Sequence, residues 1–209
     1  NNGYVSAEDH YSIDRTIGHI QRFNFQLVES QKTYSSLMKD YHNNSVYREY
    51  LAANLAEVQC FFPDDEFIKR NNKVLSSMET PYNIKNKGKV LYALAIANTV
   101  KKHYRTAQSQ IDECININRK DGYQSGELFA YMAQAYLDYA RMGVVTQNTI
   151  NQIDHLLIGN GAYTYFRLQL AIMCGDTSRV SYIGKKYDWI DFAHTEKECR
   201  RFLSQLRNT

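Results

Sequence analysis

Residues 88–118, GKVLYALAIANTVKKHYRTAQSQIDECININ, decide the fold. Apolar and small side chains recur there at helical spacing in two runs, and a short basic segment separates the runs. The runs are Leu91, Leu94, Ala95, Asn98 and then Tyr104, Ala107, Ile111, Cys114. One small residue in each run, Ala95 or Ala107, lets two helices approach closely. The stretch therefore predicts two antiparallel helices that stack on neighbouring pairs.

This order of large, small and aromatic positions resembles the tetratricopeptide repeat (TPR). The resemblance is close over residues 88–118 and looser over residues 45–187. It implies an all-α fold, a right-handed stack of antiparallel helical hairpins in the form of a TPR-like α-solenoid. Members of that family bind proteins or peptides in a concave groove and perform no chemistry, so the resemblance implies a non-catalytic binding domain.

A second copy of the pattern follows the first. Phe129, Met132, Ala133 and Tyr136 repeat its first helix, and Ala133 lies 38 residues after Ala95, a typical period for helical repeats. Its second helix begins only after the link at residues 143–147. The breaker Gly159-Asn160-Gly161 precedes a third pair, and a charged final helix with Phe202, Leu203 and Leu206 suits a C-terminal cap.

The N-terminal segment carries a heptad-like pattern. Apolar residues recur every seven positions at Ile13, Ile20, Leu27, Tyr34 and Tyr41. This predicts one long amphipathic helix, or two helices broken near Ser30. We therefore expect an N-terminal helical arm at residues 1–43 and a repeat domain at residues 44–209. The arm either packs on the repeats or dimerises through a seam of Ile13, Ile20 and Leu27.

Two helix starts are marked in the next part of the chain. Ser45 can cap a helix that carries Leu51 and Val58. Pro63, followed by Asp64, Asp65 and Glu66, predicts a helix with proline and three carboxylates in its first turn.

Composition excludes several classes of protein. The net charge of +3 comes from interleaved acidic and basic residues, which does not indicate nucleic-acid binding. The chain has no apolar run long enough to span a bilayer, and we expect no membrane contact. Its four cysteines are widely spaced, which predicts reduced thiols in a cytoplasmic protein. The first residues, Asn-Asn-Gly, lack a methionine and suggest a fragment of a larger regulatory protein.

The sequence offers no catalytic constellation, so we expect no enzyme, metal or cofactor. His194, Glu198 and Cys199 lack a second cluster to complete a metal site. The adjacent Asp154 and His155 diverge on a helix, and the acidic run after Pro63 is explained by the helix dipole. Gly159-Asn160-Gly161 is too short for a phosphate cradle.

The resemblance implies binding positions on the first helix of each pair. Polar residues at the corresponding outward positions are Asn98 and Lys101, then Gln134 and Asp138. A basic neighbourhood surrounds the first of these two repeats and comprises Lys85, Lys87, Lys89, Lys101, Lys102, His103 and Arg105. It is either a solvated surface or a binding site for an acidic peptide or carboxylate terminus. The seventeen tyrosines either fill gaps between helices or line such a groove.

We therefore predict a protein- or peptide-binding domain that senses or recruits a partner for a larger regulator. Two other functions stay open: an oligomerisation or scaffold module that forms a homodimer through the N-terminal helix, and a chaperone-like binder of a protein client.

Overall fold

The computed structural model describes residues 6–78, 84–158, 163–186 and 191–207. Within these ranges every regular element is a helix, which confirms the all-α prediction. The helices are α1 (Ala7–Phe23), α2 (Leu27–Asp40), α3 (Ser45–Gln59), α4 (Phe67–Ser76), α5 (Ile84–Val100), α6 (Tyr104–Lys120), α7 (Gln124–Met142), α8 (Gln147–Leu157), α9 (Thr164–Met173), α10 (Thr177–Lys186) and α11 (Phe192–Arg207). The breaker at residues 159–161 lies outside the described residues.

The N-terminal heptad pattern is interrupted earlier than we predicted. Helix α1 ends at Phe23, and the chain turns through Phe25, whose φ of 56° lies in the left-handed region. The buried Phe25 ring lies 4.9 Å from the Phe61 ring, centroid to centroid. This packing offsets the backbone strain. A break at residues 24–26 replaces the one expected near Ser30, and α2 folds back onto α1.

Helix α3 begins at Ser45, as expected, but Asn44 is its cap and accepts a hydrogen bond from the Tyr47 amide at 3.1 Å. Helix α4 begins at Phe67, so Pro63 and the carboxylates precede the helix and do not form its first turn. Asp64 and Asp65 instead form ion pairs with Arg70 and Lys101. The structure thus corrects the predicted start of α4.

The predicted central hairpin is present as α5 and α6, which are joined by a turn at residues 101–103. Helix α5 is buried along most of its length. Asn118 on α6 lies against Gly88 of α5 and Gly126 of α7, two glycines that are also 38 residues apart. A Cβ atom at Gly126 would lie 2.0 Å from Asn118 Oδ1. Glycine is therefore required where the three helices meet.

Consecutive hairpins make a repeated set of contacts. The first helices touch in series, since α3 contacts α5 and α5 contacts α7. Each second helix also contacts the next first helix, α4 with α5 and α6 with α7. Helix α9 contacts α7 and pairs with α10. Residues 45–142 thus carry one repeated packing arrangement.

The last helix packs back onto the hairpins. Helix α11 contacts α5, α7 and α9. The Phe202 ring lies 4.9 Å from the Phe61 ring and 5.2 Å from the Tyr136 ring. The charged side chains of α11, among them Arg200 and Arg201, face solvent. The chain itself therefore covers part of the surface formed by the first helices.

Helices α1 and α2 belong to the same hydrophobic core as the hairpins. Tyr34 and Leu37 of α2 are buried in that core, and α2 packs against α3. The Thr195 hydroxyl on α11 donates a hydrogen bond of 2.8 Å to the Asn24 carbonyl. Residues 6–40 are thus in close contact with the rest of the described chain, as in the alternative in which the N-terminal segment packs on the repeats.

Candidate functional site

The structure corrects the predicted exposure of Asn98. This side chain is 2% exposed. Its amide donates to Leu94 O and Gln110 Oε1, at 3.0 and 2.9 Å, and its Oδ1 lies 3.2 Å from His103 Nδ1. Asn98 therefore joins α5 to α6 and does not face outward. Lys101 is exposed and pairs with Asp65 at 2.9 Å.

Gln134 and Asp138 form a separate hydrogen-bond network. Asp138 is buried, which corrects its predicted outward position. Its carboxylate accepts hydrogen bonds from Thr146 and Thr149 at the start of α8 and from the half-buried Gln134. Gln134 also bonds to Gln108 of α6. Because these contacts satisfy polar groups at helix junctions, both residues have a structural role, and their part in peptide binding stays a prediction.

The predicted dimer seam is divided between two helices. Ile13 and Ile20 are 51% and 47% exposed on α1, and Ile17 between them is 41% exposed. Leu27 lies at the start of α2 and is buried in the core. The break at residues 24–26 removes Leu27 from the α1 face. Only the two isoleucines of the predicted seam therefore share an exposed surface.

The structure places the residues that we rejected as catalytic or metal-binding in different surroundings. Cys199 is buried, whereas His194 is exposed on the same helix. Asp154 pairs with Arg179 at 2.7 Å. Within the described ranges, no group of three or more histidine, cysteine, aspartate or glutamate residues is arranged to hold a metal ion.

A basic aromatic pocket lies between α1, α3, α5 and α7. This cavity of about 450 Å³ opens to solvent. Its described lining residues are His19, Arg22, Phe23, Tyr50, Lys85, Asn86, Lys89, Tyr123, Phe129 and Tyr163. They include three basic side chains, those of Arg22, Lys85 and Lys89, and five phenylalanine or tyrosine rings, but no carboxylate. A pocket of this size with a few convergent polar groups is typical of a ligand-binding site.

His19 fixes one wall of the basic aromatic pocket. Its Nε2 lies 2.8 Å from the Tyr50 hydroxyl and its Nδ1 lies 2.9 Å from the Tyr34 hydroxyl. Burial, reinforced by the nearby charges of Arg22 and Lys89, lowers the pKa of His19 to about 3. The imidazole is therefore neutral near pH 7 and has both nitrogens engaged, which suits a positioning role better than proton transfer.

A buried charge cluster lies behind this wall. The Arg22 guanidinium bonds to the Glu57 carboxylate, and Lys89 Nζ lies 3.6 Å from that carboxylate and 3.1 Å from Asn54 Oδ1. Burial opposes the charge on Arg22, but attraction to Glu57 raises its pKa above the ordinary value. Burial lowers the pKa of Lys89, and the Arg22 charge adds to this effect. One carboxylate thus balances two cations, which leaves an excess positive charge.

The cations of the basic aromatic pocket lie against aromatic rings. Lys89 Nζ is 4.9 Å from the Tyr50 ring centroid, and Lys85 Nζ is 5.0 Å from that of Tyr123. Arg22 Cζ lies 5.8 Å from the Phe129 centroid. These are cation–π distances. They hold the positive groups in place without neutralising them.

Sequence reasoning found part of this pocket. The basic neighbourhood included Lys85 and Lys89, but it also included Lys87, which pairs with Glu113 outside the cavity at 2.9 Å. The contribution of Arg22 from α1 was missed. Glu57 was a usable signal, because Ala53, Cys60 and Phe61 lie three or four residues from it and share its helix face. A carboxylate on such an apolar face is almost never buried without a partner.

Comparisons with protein-family models, with curated proteins and with solved structures find no match to this chain. The tetratricopeptide resemblance therefore rests on the sequence pattern alone. In the parts of the chain that the structure describes, no helix combines the length and apolar character needed to cross a bilayer.

Proposed function

We propose that this chain is a non-catalytic domain that binds a peptide or protein segment through an anionic group held in the basic aromatic pocket. The convergence of Arg22, Lys85 and Lys89 on one cavity with aromatic walls carries this proposal. Fixed cations in a partly buried site attract an anion more strongly than solvated surface lysines do, because water screens the attraction less there.

The helical scaffold supports a binding role. The serial contacts of α3 to α7 are compatible with a TPR-like right-handed stack, although α11 covers part of the first-helix surface. Rigid helices present fixed groups, so the ligand alone bears most of the ordering cost. A cytoplasmic setting suits the four unpaired cysteines. We place the domain in a larger regulatory protein, where ligand binding would be its sensing or recruiting step.

The basic aromatic pocket is better suited to binding than to catalysis. His19 is bonded at both nitrogens and has a pKa of about 3, so it is a poor general base near neutrality. Burial raises the pKa of Cys60, Cys114 and Cys199, which keeps these thiols protonated and unreactive.

Fluorescence anisotropy with labelled acidic octapeptides tests the proposed function. We expect binding that weakens with added salt and with the Lys85→Met variant. Lys87→Met is the matched control, because Lys87 lies on the same helix turn but pairs with Glu113 away from the cavity. Equal loss in both variants, or no binding by the wild-type chain, would contradict the proposal.

Dimerisation through α1 is the second candidate function. Ile13, Ile17 and Ile20 fall at helical spacing and form an exposed apolar stripe. Light scattering after size-exclusion chromatography should detect a dimer that becomes monomeric when all three are changed to glutamate. Val46→Glu, at a residue 71% exposed on α3, is the control. A monomeric wild-type chain would exclude this candidate.

A further inference from the structure

The floor of the basic aromatic pocket contains unsatisfied polar groups. Arg22 Nε and Glu57 Oε1 are both buried without a hydrogen-bond partner, although the same guanidinium and carboxylate bond to each other through other atoms. Lys89, whose side chain is 11% exposed, shares the same carboxylate. A buried donor without a partner costs free energy, and two cations on one carboxylate repel each other. An entering anion would supply a second counter-charge for these two cations.

The walls of the basic aromatic pocket are suited to a flat ring. Tyr163 meets Phe23 and Phe129 edge to face, with ring centroids 5.7 and 5.4 Å apart. All three side chains line the cavity. A further aromatic ring can extend such a cluster in the same geometry. Aliphatic ligand groups would lack this contact.

We propose that the group bound in the basic aromatic pocket is a carboxylate attached to an aromatic residue, the C-terminal aromatic residue of a peptide. This inference rests on the proposed function and specifies its ligand. The carboxylate lies among Arg22, Lys85 and Lys89, and the ring packs against Phe23, Phe129 and Tyr163. The cavity volume of about 450 Å³ accommodates one such residue and leaves the preceding peptide at the open mouth.

A free aromatic acid carries the same carboxylate and ring as a C-terminal aromatic residue, so the experiment includes both a peptide and a free acid. Isothermal titration calorimetry on the full chain compares acetyl-Gly-Gly-Phe, its C-terminal amide, acetyl-Gly-Gly-Ala and N-acetylphenylalanine. We expect acetyl-Gly-Gly-Phe to bind most tightly. The amide and the alanine peptide should each bind about tenfold more weakly, which corresponds to the loss of one favourable contact.

The outcomes separate the inference from the proposed function. Equal binding of the phenylalanine and alanine acids would overturn the aromatic requirement while the anion-binding function stands. Equal binding of the acid and the amide would overturn the carboxylate requirement. N-acetylphenylalanine binding as tightly as the tripeptide would keep the pocket chemistry but overturn a peptide as the ligand. Absence of binding by every probe would overturn the pocket as the site.

Two variants, Lys85→Met and Tyr163→Leu, test whether the peptide binds in the basic aromatic pocket. Lys85→Met should weaken both tripeptide acids by about threefold to tenfold, as expected for one partly screened charge-assisted contact, while Lys87→Met leaves them unchanged. Tyr163→Leu should reduce the preference for phenylalanine over alanine without changing the preference for acid over amide. Matching thermal midpoints would establish that the variants are folded. Unchanged affinities in folded Lys85→Met and Tyr163→Leu would overturn the inference.

Discussion

Glu57 is the residue on which the buried charges depend. It lies between Arg22 and Lys89 and is 1% exposed. Glu57→Gln keeps the size but leaves two buried cations without a counter-charge. Breaking a buried ion pair costs about 3–5 kcal/mol. We expect a decrease of that order in the free energy of unfolding, measured by urea denaturation.

Glu66→Gln is the control for this measurement, because Glu66 pairs with Lys69 on the surface with a side chain 69% exposed. Its effect should stay within about 0.5 kcal/mol. A similar small effect for Glu57→Gln would mean that the buried cluster contributes little to stability.

The buried His19 should make the folded chain less stable in acid. Its pKa is about 3 in the folded chain and 6.5 in the unfolded chain, so the unfolded chain binds the proton first as the pH falls. The stabilising effect of the neutral imidazole is therefore complete above pH 6.5 and is lost progressively between pH 6.5 and 3. Urea midpoints measured at pH 7 and pH 5 should differ less in His19→Gln than in the wild-type chain.

His155→Gln provides the comparison for the acid measurement, because His155 is exposed on α8. It should keep the wild-type difference between pH 7 and pH 5. Equal acid sensitivity in wild type and His19→Gln would show that other groups control this pH range.

The contact between α5, α6 and α7 depends on the absence of a side chain at residue 126. Gly126→Ala gains up to about 1 kcal/mol of helix propensity. Its Cβ would lie 2.0 Å from Asn118 Oδ1, and overpacking of this kind costs about 1–3 kcal/mol. We therefore expect a net loss of stability in thermal unfolding.

The double variant Gly126→Ala/Asn118→Ala tests the cause of this loss, because the shorter residue 118 removes the close contact. It should be more stable than the sum of the two single changes predicts. Ser125→Ala, one residue earlier in α7, controls for helix propensity. Strict additivity would contradict the steric explanation.

At the scale of elements, the sequence predicts what local spacing determines. The sequence predicts α6 correctly, because apolar residues recur at helical spacing from Tyr104 onward. It also predicts the turn before α6, because a short basic segment interrupts the apolar pattern there. The turn at Phe25 was placed too late, because its left-handed backbone is stabilised by the distant Phe61 and has no glycine to mark it. The start of α4 was placed too early, because Asp65 pairs with Lys101 of another hairpin.

The whole molecule is closed by contacts between its two ends. Phe202 of α11 contacts Phe61 and Tyr136, and Thr195 bonds to Asn24. Phe202→Ala should cost about 3–5 kcal/mol, as for other buried aromatic residues. Hydrogen exchange should accelerate in α2 as well as in α11, because both share this core.

Tyr182→Ala controls for the loss of a ring without the loss of a core contact, since Tyr182 is 57% exposed on α10. It should change stability by less than about 0.5 kcal/mol. If Phe202→Ala accelerated exchange only within α11, the two ends would not form one cooperative unit.

The candidate site could be predicted only in part, because its residues come from distant parts of the chain and meet only in the folded molecule. Lys85 and Lys89 are close in sequence, so the sequence alone showed that they form part of one basic group. Arg22 and Tyr163 reach the same cavity from positions far apart in the chain. Local periodicity carries no information about such distances. The predicted residues Asn98 and Asp138 were misplaced because polar side chains at helix junctions follow the same spacing as exposed ones.

The late position of α11 has a consequence for synthesis on the ribosome. The nascent chain leaves one side of Phe61 and of Tyr136 uncovered until residues 192–207 emerge, because α11 supplies their aromatic partner Phe202. Non-local contacts of this kind form slowly, and exposed apolar surface favours aggregation during the delay. A ribosome stalled before α11 should therefore hold a chain that is helical yet sensitive to protease, and release of the last helix should convert it to the resistant form.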